Sequence, residues 1–279
     1  MNLFIDAGNT RIKFGWHTQP GLSMDIRSIA LLPDQLAQLP QHLIAAGAPL
    51  RKNQLTNTSA AWGVNVAGTS TQTQIEQAVK ALGYATTHWL SSTKQAVGVR
   101  SAYGDGLGTD RWVALLGLHA YTAQDDCLLE HPLLLASFGT ATTIDTLSPQ
   151  TPQHEREFPG GLILPGPTLM LQSLQRNTAL LPLAQGESCL YPQDTLSAIM
   201  SGVAASQAGA VLRQWQAGLL TYGRAPHVFF SGGGSELVIH ELQHILELAY
   251  EQHGFPTVRA RPIDTPVLRG IAYTLSVQQ

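Results

Sequence analysis

A glycine turn between two short apolar segments occurs twice in the sequence, and this repeat constrains the fold more than any other feature. Residues 2–6 and 11–16 are typical of two β-strands, and Gly8 lies in the turn between them. About 130 residues further on, residues 133–138 lead through Gly139 into a similar return segment. A duplicated strand pair predicts two similar domains, and strands alternating with helices predict an α/β fold.

Helix signals lie between the predicted strands. Residues 112–120 have helical length and follow Thr109 and Asp110, which are residue types common at helix starts. Asp194 is predicted to cap a long helix over residues 195–216. Weaker patterns predict helices within residues 31–50 and 74–82, and a further helix is predicted over residues 236–253.

The domain boundary is expected near residues 119–128, between the two copies. We therefore predict an N-terminal domain over residues 1–122 and a C-terminal domain over residues 123–279. The second domain also contains a predicted strand over residues 228–230, the glycine-rich turn at residues 231–235 and a helix. That order lets a backbone approach a nucleotide, although a plain strand-to-helix turn is the alternative.

The composition argues against several classes of protein. Hydrophobic residues make up 44% of the 279 residues and charged residues only 13%, against about 25% charged in typical globular chains, which argues against disorder. The formal net charge of −3, without a run of Lys or Arg, argues against nucleic acid as a partner.

Cysteine content and apolar patterning indicate the compartment. Cys127 and Cys189 have no short metal-type spacing and are too few for a disulfide framework, which favours a reducing compartment. We find neither a signal-peptide pattern nor a continuous run of about 18 apolar residues. A cytoplasmic protein without membrane contact is the expectation.

The first turn has the groups that polyphosphate binding needs within residues 6–13. Gly8 permits close approach of backbone N–H groups, and Asn9 and Thr10 add amide and hydroxyl donors. Lys13 supplies a cation, and Asp6 is a candidate to hold Mg²⁺ directly or through water. An ordinary hairpin turn is the alternative, but the second hydroxyl-rich turn favours a nucleotide site.

Five motifs, in their order and spacing, resemble those of the type III pantothenate kinases. The motifs are Asp6-x-Gly8-Asn9-Thr10, Gly108-x-Asp110-Arg111, Gly139-Thr140-Ala141-x-Thr143, Gly160-Gly161 and Pro165-Gly166. The resemblance covers nearly the whole chain. It implies an actin-like fold of two RNase H-like domains with ATP in the cleft between them. It also implies ATP-dependent phosphorylation of the primary hydroxyl of pantothenate, the first step toward coenzyme A.

The resemblance assigns roles to individual residues. Asp110 would be the catalytic base, because phosphoryl transfer needs a proton acceptor near the attacking hydroxyl; a simple helix cap is the alternative. The implied ATP-binding residues are Asp6, Ala7, Gly8, Asn9, Thr10, Arg11, Ile12, Lys13 and Thr140. The implied pantothenate-binding residues are Tyr103, Gly108, Thr109, Asp110, Arg111 and Thr195. The guanidinium of Arg111 would pair with the pantothenate carboxylate, whereas Tyr103 and Thr195, taken alone, are typical of packing and capping residues.

One position departs from the family pattern. The family usually has Asp-x-Gly-Thr at the second turn, and the aspartate helps to hold a monovalent cation, K⁺ or NH₄⁺. This chain has Ser137 there, followed by Phe138, Gly139 and Thr140. Either the cation requirement is weakened, or backbone carbonyls and another residue complete the site, with Asp145 the nearest spare acid.

A second motif indicates different chemistry. Residues 240–244 form a His-Glu-x-x-His pattern on a predicted helix, as in zinc proteases. The longer metzincin pattern fails because Glu247 and Tyr250 occupy positions that need glycine and histidine, and Asp264 is the only credible third ligand. We do not expect zinc hydrolysis.

Two other functions stay open, namely a non-catalytic nucleotide-dependent regulator on the same fold and a kinase of another small molecule. Asp110, Arg111 and Lys13 favour the kinase, because a sensor needs no base beside an acid-binding arginine. Members of the family are generally homodimers, so we expect one here. Trp112 is a candidate for that contact, although core packing explains it equally well.

Overall fold

The structure is a computed structural model that describes residues 2–17, 25–49 and 60–278, and the chain divides into two compact units. Unit 1 comprises Met1–Val99, Gly104–Thr122 and Thr265–Gln279. Unit 2 comprises Arg100–Tyr103 and Ala123–Asp264.

In the described part of unit 1, one sheet contains five strands. These are β1 (Leu3–Ala7), β2 (Ile12–His17), β3 (Ile26–Leu31), β4 (Ala61–Asn65) and β5 (Thr87–Trp89). Their order is β3-β2-β1-β4-β5, with β2 antiparallel to β1 and to β3, and with the β1–β4 and β4–β5 pairs parallel. Every residue of β1 is buried, as expected of an apolar central strand. A short strand, β6 (Gln95–Ala96), follows.

Helices cover the sheet of unit 1. They are a 3-10 helix (Pro33–Gln38), α1 (Leu39–Ala45), α2 (Thr69–Ala81) and α3 (Thr109–Thr122). The weak predictions within residues 31–50 and 74–82 are thereby confirmed as helical, although α2 begins five residues earlier than the pattern indicated. Trp112 of α3 is 1% exposed and packs in the core of unit 1, so it is not available as a dimer contact.

Unit 2 repeats this arrangement. Its strands are β7 (Val99–Ser101, shared with unit 1), β8 (Leu133–Phe138), β9 (Ala141–Leu147), β10 (Arg156–Phe158), β11 (Gly160–Pro165), β12 (His227–Ser231) and β13 (Arg261–Pro262). The main sheet has the order β11-β9-β8-β12-β13, with two antiparallel pairs followed by two parallel pairs, as in unit 1. The duplicated α/β architecture predicted from the glycine turns is confirmed.

In its described residues, unit 2 contains four α-helices and one 3-10 helix. They are α4 (Asp126–Leu129), α5 (Pro167–Asn177), α6 (Thr195–Tyr222), a 3-10 helix (Ser235–Leu237) and α7 (Ile239–Gln252). Asp194 caps α6 as predicted, because its side chain accepts a hydrogen bond of 3.0 Å from the backbone N–H of Ser197. Trp215 and Val211 of α6 pack with Leu242 of α7 in the core.

Helix α6 also has the length and apolar composition of a membrane-spanning segment, the one helix in the described residues that does. Serine and glutamine residues interrupt it, so the sequence shows no continuous apolar run. One face of α6 packs against α7 and the sheet of unit 2, which is how a core helix uses its apolar residues.

The last helix, α8 (Pro266–Gln278), belongs to unit 1 and packs along α3. The two helices approach closely because a Cβ atom at Gly117 would collide with the carbonyl oxygen of Pro266, and one at Gly270 with that of Val113. The expectation that residues 123–279 form one domain is therefore wrong for residues 265–279. The apolar face of α3 needs a partner within its own unit, and α8 provides it.

Candidate active site

The β1–β2 hairpin brings a carboxylate and an ammonium group together. Asp6 and Lys13 are register partners on the two strands, so their side chains lie on one face, and Nζ of Lys13 is 3.3 Å from Oδ2 of Asp6. The backbone N–H of Gly8 donates a hydrogen bond of 3.1 Å to the carbonyl oxygen of Arg11, which closes the turn. The turn therefore leaves Asn9, Thr10 and Arg11 exposed beside a fixed ion pair.

The electrostatics of Asp6 are unusual for a strand residue. Asp6 is only 9% exposed, and burial raises the pKa of its carboxyl group, while the charge and hydrogen bond of Lys13 oppose that rise. The charge of Asp110 raises the pKa further, which places the two carboxylates near each other in unit 1. A bound cation would relieve both effects, and carboxylate oxygens are the ligands that Mg²⁺ prefers, so these residues fit that ion.

The start of α3 positions Asp110. The carbonyl oxygen of Gly108 accepts a hydrogen bond of 3.0 Å from the backbone N–H of Trp112, so the helix begins directly after Gly108. Asp110 is then the second helical residue rather than the cap. A Cβ atom at Gly108 would lie 2.7 Å from Oδ1 of Asp110, so the glycine leaves space for this carboxylate. The capping alternative does not describe this position.

Arg111 follows Asp110 in the first turn of α3 and is only 6% exposed. Its Cδ atom lies 3.9 Å from the position that a Cβ atom would take at Gly108. Thr109, which lies between Gly108 and Asp110 in the chain, is half-buried. The Gly-x-Asp-Arg motif therefore forms one compact group at the helix start, with the acid directed toward the glycine.

In unit 2, the turn after β8 contacts the start of α5. The backbone N–H of Gly166 donates a hydrogen bond of 2.9 Å to the carbonyl oxygen of Thr140. A Cβ atom at Gly166 would collide with the carbonyl oxygen of Gly139, so only glycine permits this approach. Because α5 begins at Pro167, its N-terminal backbone N–H groups lie next to the exposed Thr140, where they favour an anion.

The glycine-rich segment after β12 packs on the same turn. The backbone N–H of Gly234 donates a hydrogen bond of 3.0 Å to the carbonyl oxygen of Phe138. Gly232 has a φ of 95°, and a Cβ atom there would collide with the same carbonyl group. The two glycine-containing turns of unit 2 and the start of α5 therefore meet at residues 138–140.

Ser137, which stands where the motif of the resemblance has an aspartate, lies among other hydroxyl-bearing residues. The Oγ atom of Ser231 donates a hydrogen bond of 3.2 Å to that of Ser137, and Thr143 is the register partner of Ser137 on β9. Asp145, two residues further along β9, lies on the same face of the sheet and is 2% exposed. The group offers hard oxygen donors, but Ser137 supplies no charge to a monovalent cation.

Tyr103 and Thr195 both belong to unit 2, whereas Asp110 and Arg111 belong to unit 1. The ring of Tyr103 stacks on that of Phe158, with ring centroids 5.7 Å apart and 9° between the planes. Thr195 is exposed in the first turn of α6, directly after its cap.

The His-Glu-x-x-His pattern lies on α7, where His240 and His244 are both exposed. Gln243, between them, exchanges two hydrogen bonds with the backbone of Ala260, at 2.9 and 3.1 Å. Within the described residues, the clusters of three or more potential metal ligands include neither histidine. The pattern is therefore the exposed side of an amphipathic helix.

The sequence did not reveal two of these features. The proximity of Asp6 to Asp110 joins residues about 100 positions apart, and no local pattern encodes it. The contact of Gly166 with residues 139–140 has a weak signal, a Pro-Gly-Pro sequence at a helix start, but its partner is not visible from the sequence.

Comparison with known proteins gives the family. A family model described as type III pantothenate kinase matches residues 2–217. The type III pantothenate kinases of Bordetella bronchiseptica and Bordetella petrii are 41% and 43% identical over 276 residues, covering 98% of this chain and 96% of each relative. That of Aromatoleum aromaticum is 35% identical over 274 residues, with the same coverage.

Solved structures show the fold. A putative Baf family transcriptional activator from Campylobacter jejuni aligns with a TM-score of 0.55 at 19% identity, over 99% of this chain and 98% of its own. A putative 2-dehydro-3-deoxygalactonokinase from Sinorhizobium meliloti aligns with a TM-score of 0.51 at 16% identity, over 100% and 99%. With the duplicated sheets, these similarities show a two-domain actin-like fold. The chain belongs to the type III pantothenate kinase family.

Proposed function

We propose that this chain transfers the γ-phosphoryl group of ATP to the primary hydroxyl of pantothenate, with Asp110 accepting the hydroxyl proton. Membership of the type III pantothenate kinase family supports the reaction, which is the first step of coenzyme A biosynthesis. The observation that carries the residue assignment is the position of Asp110 at the start of α3, near the buried carboxylate of Asp6. One acid can hold the metal while the other accepts the proton.

The proposed ATP-binding residues in unit 1 are those of the hairpin. Asp6 holds Mg²⁺ directly or through water, and the metal, when bound, neutralises charge on the phosphates. Asn9, Thr10 and Arg11 are exposed and contribute donors from their side chains. Ala7 and Ile12 have fully buried side chains, so their contribution is restricted to the backbone. In unit 2, Thr140 and the start of α5 offer hydroxyl and backbone N–H donors to a phosphate group.

The proposed pantothenate-binding residues include the neighbours of the proton acceptor at the start of α3. The guanidinium of Arg111 pairs with the pantothenate carboxylate, and low exposure strengthens a charge-assisted hydrogen bond by excluding water. Gly108 and Thr109 line the start of α3 beside it. Tyr103 and Thr195 remain assigned to the substrate on the strength of the family motifs. A homodimer and a cytoplasmic location are proposed on the same grounds.

A monovalent cation is expected to have a smaller role than in the family at large. The hydroxyl of Ser137 is already hydrogen-bonded to Ser231, and no step of the proposed mechanism passes through K⁺. Initial rates in potassium, ammonium and sodium salts of equal ionic strength should agree within about twofold, since the uncharged Ser137 adds no Coulomb attraction for any of these ions. A strong potassium requirement would contradict this proposal and would direct attention to Asp145.

The test of the function is ADP release by the purified protein with Mg²⁺ and ATP. Pantothenate should stimulate it, whereas glucose, glycerol and pantetheine should not. Asp110→Asn should lower turnover by about 100-fold or more, because general base catalysis contributes at least that much, and should leave ATP binding and melting temperature nearly unchanged.

Asp105→Asn is the matched control, because Asp105 is a fully exposed acid in the same segment that pairs only loosely with Lys94, at 3.8 Å. It should retain full activity. ATP binding without stimulation by any acceptor would support a nucleotide-dependent regulator, and stimulation by glucose or glycerol alone would support a kinase of another substrate.

A further inference from the structure

A cluster of three potential metal ligands lies in unit 2. Cys127 of α4, His131 and His227 each offer one ligand atom, and these three atoms all lie within 4.8 Å of one another. Cys127 is exposed, His131 is half-buried and His227 is buried. The sequence shows no metal-type spacing because His227 is 96 residues from His131.

The parallel pairing of β8 and β12 creates this proximity. His227 is the first residue of β12 and is the register partner of Leu133, the first residue of β8. The backbone N–H of His227 donates a hydrogen bond of 2.9 Å to the carbonyl oxygen of Pro132. His131 therefore lies two residues before β8, at the amino end of that strand, and beside the side chain of His227 at the start of β12.

The hydrogen bonding of His131 prepares it as a ligand. Its Nδ1 atom lies 2.9 Å from the carbonyl oxygen of Ala225, and a carbonyl group only accepts, so Nδ1 carries the proton. The lone pair is then on Nε2. Histidines that bind metals typically donate the other ring N–H to such a carbonyl group, which fixes both tautomer and orientation.

His227 has an unused polar atom at the same place. It is 8% exposed, and its buried Nδ1 atom has no hydrogen-bond partner among the described residues. The rings of His131 and His227 meet edge to face, with centroids 4.8 Å apart and 89° between the planes. A buried ring nitrogen without a partner is costly unless a ligand satisfies it.

A buried arginine holds the segment that carries the first two ligands. Arg156 is 1% exposed, and its guanidinium donates hydrogen bonds to the carbonyl oxygens of Leu128, at 2.6 Å, and His131, at 3.1 Å. The guanidinium also donates a hydrogen bond of 2.5 Å to the carbonyl oxygen of Ser148. The backbone between Cys127 and His131 is therefore fixed independently of any metal.

We propose that Cys127, His131 and His227 bind a divalent cation of borderline softness, such as Zn²⁺. One thiolate and two imidazoles suit this class of ion, and three protein ligands leave a fourth position for water. With bond lengths of about 2.1 and 2.3 Å, tetrahedral ligands lie about 3.5 Å apart, so the side chains need to close by about 1 Å. Cys127 is the exposed member of the cluster, so a change of its side-chain rotamer can supply this closure. Binding deprotonates its thiol and releases that proton to solvent.

Within unit 2, the site is separate from the turn that carries Thr140, the proposed ATP-binding residue. The ligands lie at the amino ends of β8 and β12, whereas Ser137 and Ser231 lie near their carboxyl ends, about 13 Å away along the strands. The ion would join α4 to the two central strands of unit 2. Its expected effect is on stability and on the reactivity of Cys127 rather than on turnover.

The test uses the untagged full-length chain, treated with a chelator and titrated with ZnCl₂ or CoCl₂. We expect one equivalent of metal to bind and the melting temperature to rise by several degrees. Cobalt should give a thiolate-to-metal charge-transfer band. Cys127→Ser should abolish the band and the thermal shift, whereas Cys189→Ser, at the other exposed cysteine, should retain both.

The rate at which the two cysteines are alkylated gives a second, independent measurement of metal binding. Zinc should slow alkylation of Cys127 at least tenfold, as judged by mass spectrometry of its peptide, and leave alkylation of Cys189 unchanged. His131→Gln should remove this protection, and His244→Gln should preserve it. Metal binding below one equivalent, a band that survives in Cys127→Ser, or equal protection of both cysteines would overturn the proposal.

Discussion

At the scale of single residues, Asp6 combines two conflicting requirements. A metal ligand must be ionised, yet the strand that positions Asp6 buries it, and Asp110 adds a second negative charge nearby. Lys13, whose side chain is 36% exposed, compensates in part from across the hairpin. Without a cation, the ionised carboxylate of Asp6 is therefore unfavourable, and a bound cation would remove this cost. Residues arranged for binding commonly reduce the stability of a protein in this way.

We predict that Asp6→Asn lowers turnover by about 100-fold or more but does not lower the melting temperature of the metal-free protein at pH 7. The pKa of Asp6 is raised in the fold, so ionisation costs folding free energy above the unfolded pKa of about 3.9. The variant escapes this cost. Its advantage should grow as pH rises through the folded pKa and disappear below about pH 4.

Thermal unfolding in chelator from pH 4 to 8 measures this difference. Asp34→Asn is the control for the loss of an exposed carboxylate in the same unit. A variant less stable than the natural chain at neutral pH would mean that the ion pair with Lys13 outweighs the burial of Asp6.

At the scale of elements, the contact of α3 with α8 depends on two glycines. The backbones meet at Gly117 and Gly270, where a side chain on either helix would strike the other helix's carbonyl groups. Neither collision can be avoided by rotating a side chain, because the obstructing atoms belong to the backbone. Since α3 begins with the Gly-x-Asp-Arg motif, this contact also fixes the helix that carries Asp110.

Gly270→Ala should destabilise the protein by about 3 kcal/mol or more, because the helices must separate to admit the methyl group. Gly209→Ala is the matched control within α6, since no atom lies within 4 Å of the new Cβ position there. It should stabilise the protein by about 0.5–1 kcal/mol. Denaturant unfolding of both variants measures the contrast, and equal effects would refute the close-packing explanation.

At the scale of the whole molecule, the duplicated sheet was predictable and the path of the chain was not. Local patterns identified β1, β8 and the start of α6, because apolar runs, glycine turns and capping residues are read over a few positions. The edge strands β3 and β13 escaped prediction, since they are short or half-exposed.

The sequence by itself determined the duplicated strand-turn-strand pattern, several of the helices and the family motifs, all of which depend on neighbours along the chain. Only the tertiary structure decided that α8 packs against α3 and that Asp6 lies near Asp110. It also decided that His131 and His227 meet at the amino ends of two neighbouring strands. These are contacts between residues about 100 or more positions apart. Their formation depends on how buried faces fit together, which no local pattern of residues specifies.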